Sequence, residues 1–452
     1  MAVELTRDLG KFVANLRYAD IPEKALPFIH TGITDCVGVM FAGAHEEGPQ
    51  ILKKVMAPKG DEANLLFTRE RASAPEAACI NGIAAHALDF DDVALRGHPS
   101  TVLAPAILAE AQALHSTGQQ ILTAYAAGYE VWAELIRRDQ EHHQKKRWHP
   151  TGIFGAVAAA ASCASLHGLD AEKSAMAIAM GASQAGGLVS NFGTMCKPYH
   201  AGRSAQAGIM AARLAAAGFT ASTDALEHAP GFLWAVSPGG RIDIESPTEA
   251  GVDWKLPVLG ITVKKYPCCF ATHCTLDGIL DLLAANKGLT AKDIKHIETG
   301  IRKRHSIVLR NHAPRTGLEA KFSMEFAMTA AVIAGRAGLP ELKDEFVLRE
   351  DVQALMKKVS VTPDEREAIP PPPDPIYDFV TITTNDGRTF TSGPIKDVRG
   401  GPELPLTREE LWAKFEACAQ VGNAQVPVRP LFDALMALDK VKSVHDIPGL
   451  GK

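Results

Sequence analysis

The sequence is organised around a run of small residues from Gly155 to Ala161, which reads GAVAAAA. Side chains this small allow helix axes to approach closely, so the run predicts a helix that packs in a bundle. Apolar residues at helical spacing predict its neighbours on both sides. We expect helices at about 5–16, 22–43, 75–88, 102–116, 118–137, 152–167, 170–186 and 202–217, with a short strand-like segment at 64–67.

The pattern changes from helical to strand-like near residue 261. Ile294–Ile301, which reads IKHIETGI, alternates with the two-residue period of a strand. Phe379–Thr384 and Arg388–Thr391 flank an Asn-Asp-Gly turn and predict a hairpin. A helix is expected at 322–337, and a Pro-rich loop at 369–373 separates it from the hairpin.

Helical character returns at the C-terminal end of the chain. Thr407 and Glu410 form the pair of N-cap and third helical residue that marks a helix start. We therefore predict a mainly α fold with a large all-helical domain built from both termini, residues 1–260 and 399–452. A smaller α+β domain, residues 261–398, is inserted between these two segments. Small-molecule sites are common where two domains meet.

Composition points to a globular protein without nucleic-acid or membrane partners. The 452 residues are 46% hydrophobic and 22% charged, and the net charge of -5 leaves no basic surface for nucleic acid or acidic membrane. No apolar run approaches the roughly 18 residues that a membrane helix needs. The first residues, MAVELTRDLGKF, lack the apolar core of a signal peptide, so we expect a cytoplasmic protein.

The eight cysteines are scattered, mostly within apolar helical patterns, and predict buried thiols instead of disulfides. One cluster, Cys268, Cys269, His273 and Cys274, would suit zinc by residue type. It lacks two separated Cys-x-x-Cys pairs, so no metal site is predicted.

Residues His86–Ser100, HALDFDDVALRGHPS, concentrate three acids and two histidines in an apolar part of the chain. Asp89, Asp91 and Asp92 follow a predicted helix, although carboxylates at a helix C-terminus oppose its dipole. A site for proton transfer would favour this arrangement, because it needs carboxylates and imidazoles held close together. The alternative is a solvated acidic helix end with a capping histidine.

Three further stretches carry polar groups that an apolar bundle does not need: 147–152 (RWHPTG), 194–203 (TMCKPYHAGR) and 263–268 (VKKYPC). His149 precedes a predicted helix, and its alternative role is a helix cap. Lys197, His200 and Arg203 are predicted in a loop before the helix at 202–217, where cations beside a helix N-terminus would bind an anion. The alternatives are ordinary surface basicity for that loop and a solvated linker for 263–268.

Five motifs in order, HALDFDD with HPS, WHPTGIFG, TMCKPYHAGR, VKKYPCC with ATH, and GLEAKFS, resemble those of the MmgE/PrpD family across nearly the whole chain. That family includes 2-methylcitrate dehydratase, cis-aconitate decarboxylase and iminodisuccinate epimerase. The resemblance implies a helical domain made from both termini, a smaller lid domain and a homodimer. It also implies a small polycarboxylate substrate and no metal or organic cofactor.

Carried over position by position, the resemblance implies five catalytic residues: Asp89, His98, His149, Lys197 and Lys264. We expect six others to bind substrate: Arg96, Met195, His200, Arg203, Tyr266 and Phe326. Two positions depart from the family pattern. Val93 stands where decarboxylase-like members carry Thr, in a loop one residue shorter, and Phe326 stands where some members carry Tyr. Both departures remove a hydroxyl group.

The residue types suit acid-base chemistry at the carbon α to a carboxylate. Lysines can stabilise negative charge that develops there, and histidines can carry protons near neutral pH. The primary prediction is a lyase, a dehydratase or decarboxylase of the 2-methylcitrate or cis-aconitate type. An epimerase of an iminodisuccinate-like dicarboxylate is the alternative, because the same bases serve both reactions. A non-catalytic carboxylate-binding protein on the same scaffold is a third reading.

Overall fold

A computed structural model describes residues 3–368 and 377–451, and the predicted Pro-rich loop at 369–373 lies outside them. The helices are α1 (Leu5–Asn15), α2 (Leu26–Gly43), α3 (Glu47–Met56), α4 (Ala74–Ala87), α5 (Ser100–Leu114), α6 (Gly118–Arg138), α7 (Pro150–Leu166), α8 (Ala171–Ser183), α9 (Cys196–Ala216), α10 (Phe232–Val236), α11 (Leu256–Leu259), α12 (His273–Ala285), α13 (Lys303–Val308), α14 (Gly317–Ala320), α15 (Met324–Ala334), α16 (Asp344–Val347), α17 (Glu350–Met356), α18 (Arg408–Val421) and α19 (Val428–Leu435). The strands are β1 (Ala63–Asn64), β2 (Arg71–Ala72), β3 (Ile294–Arg302), β4 (Val359–Asp364), β5 (Phe379–Thr384) and β6 (Thr389–Thr391).

The chain divides into two compact units, one formed by Met1–Val263 with Thr407–Lys452 and the other by Lys264–Leu406. The first unit is helical apart from the short antiparallel pair β1–β2. The second contains a four-stranded sheet in the order β4-β3-β5-β6, with β4 parallel to β3 and the other pairs antiparallel. The prediction of a mainly α fold is confirmed. The assignment of residues 261–398 to a lid stays a prediction.

Small residues in and around α7 allow its neighbours to pack closely, as the run at 155–161 predicts. A Cβ added to Gly208 on α9 would lie 2.3 Å from the Cβ of Ala159. One added to Gly181 on α8 would lie 2.7 Å from the carbonyl oxygen of Ala156. Larger side chains at these two glycines would force the helices apart, so sequence and bundle geometry are directly linked here.

Helices α5, α7 and α9 run in the same direction. Contacts near their N-terminal ends and contacts near their C-terminal ends both show this. At the start, Thr151 of α7 accepts from the His98 backbone beside α5, and Ser204 of α9 donates to the Gly152 carbonyl of α7. At the far end Arg213 of α9 binds Glu110 of α5. The far-end contacts form one network, here called the Glu110 network, of Glu62, Glu110, His167 and Arg213.

Helix α9 begins six residues earlier than the predicted start at 202. Lys197, His200 and Arg203 therefore lie in its first turns and not in a preceding loop. Pro198 does not prevent this earlier start, because proline is tolerated in the first turn of a helix, where its missing N–H has no partner to lose. Strand β4 and helix α3 were not predicted, whereas the strand at 294–301 and the hairpin at 379–391 are confirmed.

Among the described residues, one segment, Glu23–Gly43, is long and apolar enough to cross a membrane by length and composition. The expectation of no such segment was wrong, because it considered only unbroken apolar runs, and His30 and Asp35 interrupt this one. Most of the apolar window, 78%, is buried inside the protein. His30 binds the Leu435 carbonyl and Asp35 pairs with Lys414, so we assign α2 to the core of the first unit.

Candidate active site

The loop from Asp89 to His98, here called the site loop, joins the end of α4 to the start of α5 in a constrained backbone conformation. Asp89, Leu95 and Arg96 have φ angles of 52°, 49° and 61°, in the left-handed region that non-glycine residues seldom adopt. Such conformations cost free energy and persist only where surrounding contacts hold them, often at functional sites. Val93 supplies one contact by exchanging two backbone hydrogen bonds with Thr262.

Asp91 lies at the centre of the site loop and holds two histidines. Its Oδ1 is 2.9 Å from Nδ1 of His86, and its Oδ2 is 2.8 Å from Nδ1 of His98. Nδ1–H of His86 donates to Asp91, whereas Nδ1–H of His98 donates to the backbone carbonyl of Asp92 at 3.0 Å and lies beside the Asp91 carboxylate as an ion-pair contact. Each ring therefore presents its Nε2 elsewhere. Burial alone would raise the pKa of Asp91, but the two histidines hold it well below the usual aspartate value. Asp91 is therefore a fixed negative charge.

Asp89 and Lys197 form an ion pair beside these histidines. Nζ of Lys197 lies 2.7 Å from Oδ1 of Asp89, and the same oxygen lies 3.9 Å from Nε2 of His98. The Lys197 ammonium is also 5.7 Å from the centre of the Phe192 ring. Asp89, His98 and Lys197 are partly exposed, unlike Asp91, so they form the solvent-accessible side of the cluster.

His149 and His200 face each other on the other side of the cluster, with their Nδ1 atoms 3.0 Å apart. One ring must donate and the other accept. The centre of the His149 ring lies 6.1 Å from that of the His86 ring and 4.8 Å from that of Phe192. Burial, reinforced by nearby cationic side chains, lowers the pKa of His149 well below the usual histidine value. His149 is therefore neutral at pH 7.

His86 is a member of the cluster that sequence reasoning missed, although it opens the HALDFDD motif. Its ring is fully buried, and burial lowers its pKa to about 4, so it too is neutral at pH 7. Nε2 of His86 has no hydrogen-bond partner among the residues that the structure describes. The spacing of five residues between His86 and Asp91 was the available signal, but only the left-handed turn at Asp89 brings the two together.

Asp92 forms a second, deeper layer beneath Asp91. Burial raises its pKa well above the usual aspartate value, and the charges of Asp91 and Asp35 raise it further. Asp92 accepts a hydrogen bond from the Ser100 hydroxyl, which is 2.7 Å from the Tyr125 hydroxyl. The adjacent acids thus divide into Asp91, which faces the histidines and has a lowered pKa, and Asp92, which faces the core and has a raised pKa.

Four of these residues could also hold a metal ion by geometry. The ligand atoms of His86, Asp89, Asp91 and His98 all lie within 4.8 Å of one another, the one such group found in the described parts of the chain. Their present partners do not favour a cation, because Asp91 already binds both Nδ1 atoms and Lys197 brings its positive charge to Asp89. The expectation of no metal stays a prediction.

Three of the four predicted substrate-binding residues in the first unit do not contact the acids and histidines of the cluster in the part of the chain that the structure describes. The Arg96 guanidinium binds the backbone carbonyls of residues 139–141, at 2.6 to 3.1 Å. Arg203 is exposed and binds Gln206 on its own helix. Met195 is exposed at the N-cap of α9. The fourth, His200, is in the cluster through His149.

The other predicted residues belong to the second unit. Lys264 is buried, and the Tyr266 hydroxyl donates to Asp277 at 2.8 Å. Phe326 is packed in the core of that unit, where its ring lies 6.3 Å from the ring of Phe346. Their roles in substrate binding stay predictions.

Comparison with known proteins covers both units. The MmgE/PrpD N-terminal domain model matches residues 7–245, and the MmgE/PrpD C-terminal domain model matches residues 266–429. A cis-aconitate decarboxylase from Homo sapiens is 30% identical over 435 residues, 93% of this chain and 88% of the relative. One from Mus musculus is 29% identical over 433 residues, 92% and 86% of the two chains. One from Aspergillus terreus is 22% identical over 481 residues, 98% and 95%.

Proposed function

The chain belongs to the MmgE/PrpD family and is an enzyme of the lyase type, and we propose that it removes carbon dioxide from cis-aconitate or a closely similar tricarboxylate by acid-base catalysis. The observation that carries the proposal is the grouping of His98, Asp89 and Lys197 at the accessible side of the cluster, with His98 oriented by Asp91. The names of the relatives support the choice of substrate.

Substrate binding begins with charge. Lys197 lies in the first turn of α9, and His149 occupies the N-cap position of α7 without a capping hydrogen bond from its side chain. Together with the start of α5, three helix N-termini bring positive partial charge to one end of the bundle, which favours a polyanion. We propose that a substrate carboxylate binds the Lys197 ammonium, which is paired with Asp89 in the absence of substrate.

The reaction is an allylic decarboxylation that needs one proton. The bond between the CH₂ group of cis-aconitate and its carboxylate breaks, and that electron pair forms a new double bond to the central carbon. The electrons of the old double bond move to the carbon α to the remaining terminal carboxylate, and a general acid protonates that carbon. The products are carbon dioxide and a five-carbon methylene dicarboxylate. Lys197 stabilises the charge that develops on the terminal carboxylate oxygens.

His98 is the proposed general acid. Its Nδ1–H donates to the Asp92 backbone carbonyl and lies beside Asp91, so in the proposed imidazolium form the transferable proton is on Nε2, the ring nitrogen that faces Asp89. His149 is less suited to donate, because it is neutral at pH 7 and engaged with His200. We propose that His149 and His86 shape the pocket beside the reacting carbon and that Asp89 orients Lys197 and His98. No metal or organic cofactor is needed for these steps.

Proton NMR in heavy water tests the proposal. Purified protein is incubated with cis-aconitate, 2-methylcitrate, citrate, iminodisuccinate and simple hydroxy-diacids. We expect new methylene signals from cis-aconitate, with one deuterium at the adjacent saturated carbon, because the general acid exchanges with solvent.

Each other result identifies an alternative. Water loss from 2-methylcitrate would indicate a dehydratase, and α-proton exchange in iminodisuccinate without bond cleavage would indicate an epimerase. Binding without any exchange would favour a non-catalytic protein. The expected homodimer is tested separately by sedimentation, where a single species of monomer mass would contradict it.

A further inference from the structure

We propose that Lys414, in the C-terminal segment of the chain, is a positioning residue that holds the site loop through the backbone carbonyl of Phe90. The inference rests on the proposed function, because it concerns the placement of Asp89 and Asp91 for that reaction. Lys414 lies in α18, which packs against α2 in the first unit.

The contacts of Lys414 all involve the site loop or the helix beneath it. Its Nζ donates to the Phe90 carbonyl at 2.8 Å and lies 4.0 Å from the centre of the Phe90 ring. The same atom lies 2.6 Å from Oδ1 of Asp35 on α2, and both side chains of this pair are almost fully buried. A buried ammonium at this position therefore connects the loop to the core.

Phe90 is the residue where such a contact acts on both working carboxylates. It stands between Asp89, which pairs with Lys197, and Asp91, which holds the two histidines. Because Asp89 has a left-handed backbone, the loop needs contacts outside itself to keep this conformation. A shift of the Phe90 peptide would move Asp89 and Asp91 in the same step.

Charge gives Lys414 a second reason to be at this position. Burial raises the pKa of the Cys36 thiol, and the nearby charges of Asp92, Asp91 and Asp35 raise it further, whereas Lys414 lowers it. A purely structural ion pair would need only Asp35 and Lys414. The additional bond to the Phe90 carbonyl distinguishes a positioning role from that simpler role, and the experiment separates the two.

The test compares Lys414→Met with the double variant Lys414→Met/Asp35→Asn. The single variant leaves Asp35 buried without its cation, so we expect a lower unfolding temperature and a kcat reduced about a hundredfold, as expected for a misplacement of roughly 1 Å. The double variant removes both buried charges, and it still lacks the hydrogen bond to the Phe90 carbonyl. We expect its unfolding temperature to recover while kcat stays low. Lys442→Met, which removes an exposed lysine of the same segment, is the control and should match the wild type.

Recovery of both kcat and unfolding temperature in the double variant would overturn the proposal, as would unchanged kcat in the single variant. If the single variant does not fold, the double variant carries the test alone, since it leaves no unpaired buried charge. Its kcat then either stays low, as expected, or equals that of the wild type, which overturns the proposal.

A second readout does not depend on the reaction. The Nδ1 proton of His86 is hydrogen-bonded to Asp91, and that of His98 is hydrogen-bonded to the Asp92 backbone carbonyl beside Asp91. Both protons are followed by ¹⁵N-resolved NMR of the imidazoles. We expect both resonances to shift in the single and double variants and to remain in place in the lysine control. Wild-type protein that is inactive on cis-aconitate would end the proposed function, whereas unshifted imidazole resonances would end the role of Lys414.

Discussion

Acids, histidines and cationic side chains cluster at both ends of helices α5, α7 and α9, but their backbone conformation and hydrogen bonding differ between the two ends. At the starts lie the site loop, His149 and Lys197, and at the ends lies the Glu110 network. Arg213 there binds Glu110 through two nitrogens, each 2.8 Å from a carboxylate oxygen, and also binds Glu62. His167 binds Glu110 at 2.7 Å. Glu110, the buried acid of that network, thus has several donors.

The site end differs from the Glu110 network in its backbone conformation and in the number of buried polar atoms that lack a hydrogen bond. Glu110 and Arg213 belong to regular helix, whereas Asp89 has a left-handed φ. Among the described residues, His86 Nε2 and Asp92 Oδ1 are buried atoms without a hydrogen-bond partner. Buried polar groups are normally paired, and exceptions suggest a role other than stability. The difference teaches that residue type alone does not separate the site from the Glu110 network, and that these two clusters differ in the backbone of Asp89 and in the unpaired atoms of His86 and Asp92.

The largest effect is expected from His98→Gln at the site end. Glutamine keeps a polar side chain of similar size but carries no transferable proton, so we expect kcat on cis-aconitate to fall by about 10³-fold. The unfolding temperature should remain near that of the wild type. The NMR assay and a thermal melt on the same preparation give both values. Wild-type turnover in this variant would remove His98 as the general acid and weaken the contrast between the two ends.

The opposite result is expected from Arg213→Met in the Glu110 network. This change leaves the buried Glu110 without its main cation, and breaking such a pair costs about 3 kcal/mol or more of unfolding free energy. Turnover per folded molecule, measured at low temperature, should stay within about twofold of the wild type. Adding Glu110→Gln as the matched control should recover part of the stability. A tenfold loss of turnover without loss of stability would show that this end also serves catalysis.

Local sequence patterns predicted most of the helices and the acids of the site loop, because helical periodicity and the end of α4 are properties of neighbouring residues. The link from Asp91 to two histidines was not predicted, since it depends on backbone angles at Asp89. The direction of Arg96 depends on a loop 43 to 45 residues away. Lys414 contacts Phe90 across 324 residues, and no local pattern records such a contact.

A smaller effect concerns the pH dependence of stability. His149 has a lowered pKa when folded, so below pH 6.5 the unfolded chain takes up a proton that the folded protein does not. This contribution to stability is present above pH 6.5 and is lost as the pH falls. For one such group the free energy of unfolding should change by up to about 1.4 kcal/mol per pH unit. Denaturant unfolding at several pH values between 5 and 6 gives the unfolding free energy at each pH. This free energy should change less with pH in His149→Gln than in the wild type.

Glu130→Gln provides a control of opposite sign. Burial raises the pKa of Glu130 to about 7, so between pH 4.5 and 7 the folded protein holds a proton that the unfolded chain lacks. That contribution is complete below pH 4.5 and is lost as the pH rises through 7. Removing it should make stability rise more steeply with pH. Gln retains the oxygen that accepts from the backbone of Lys255 and Leu256. If the unfolding free energy changed equally with pH in the wild type, His149→Gln and Glu130→Gln, burial of His149 and of Glu130 would not have the expected effect on stability.

The smallest effect is expected from Arg96→Ala, which tests where the site end stops. The Arg96 guanidinium binds three carbonyls of residues 139–141 and is partly exposed, so its loss should cost about 1 to 2 kcal/mol of stability. If those carbonyls are its only partners in turnover, KM should change less than about twofold. Arg96→Lys is the matched control, because it keeps the charge and loses the planar fork. A tenfold rise in KM for Arg96→Ala alone would show that the charge binds substrate. Arg96 would then belong with Lys197, as the sequence predicts, and the strain at its φ of 61° would serve binding as well as loop shape.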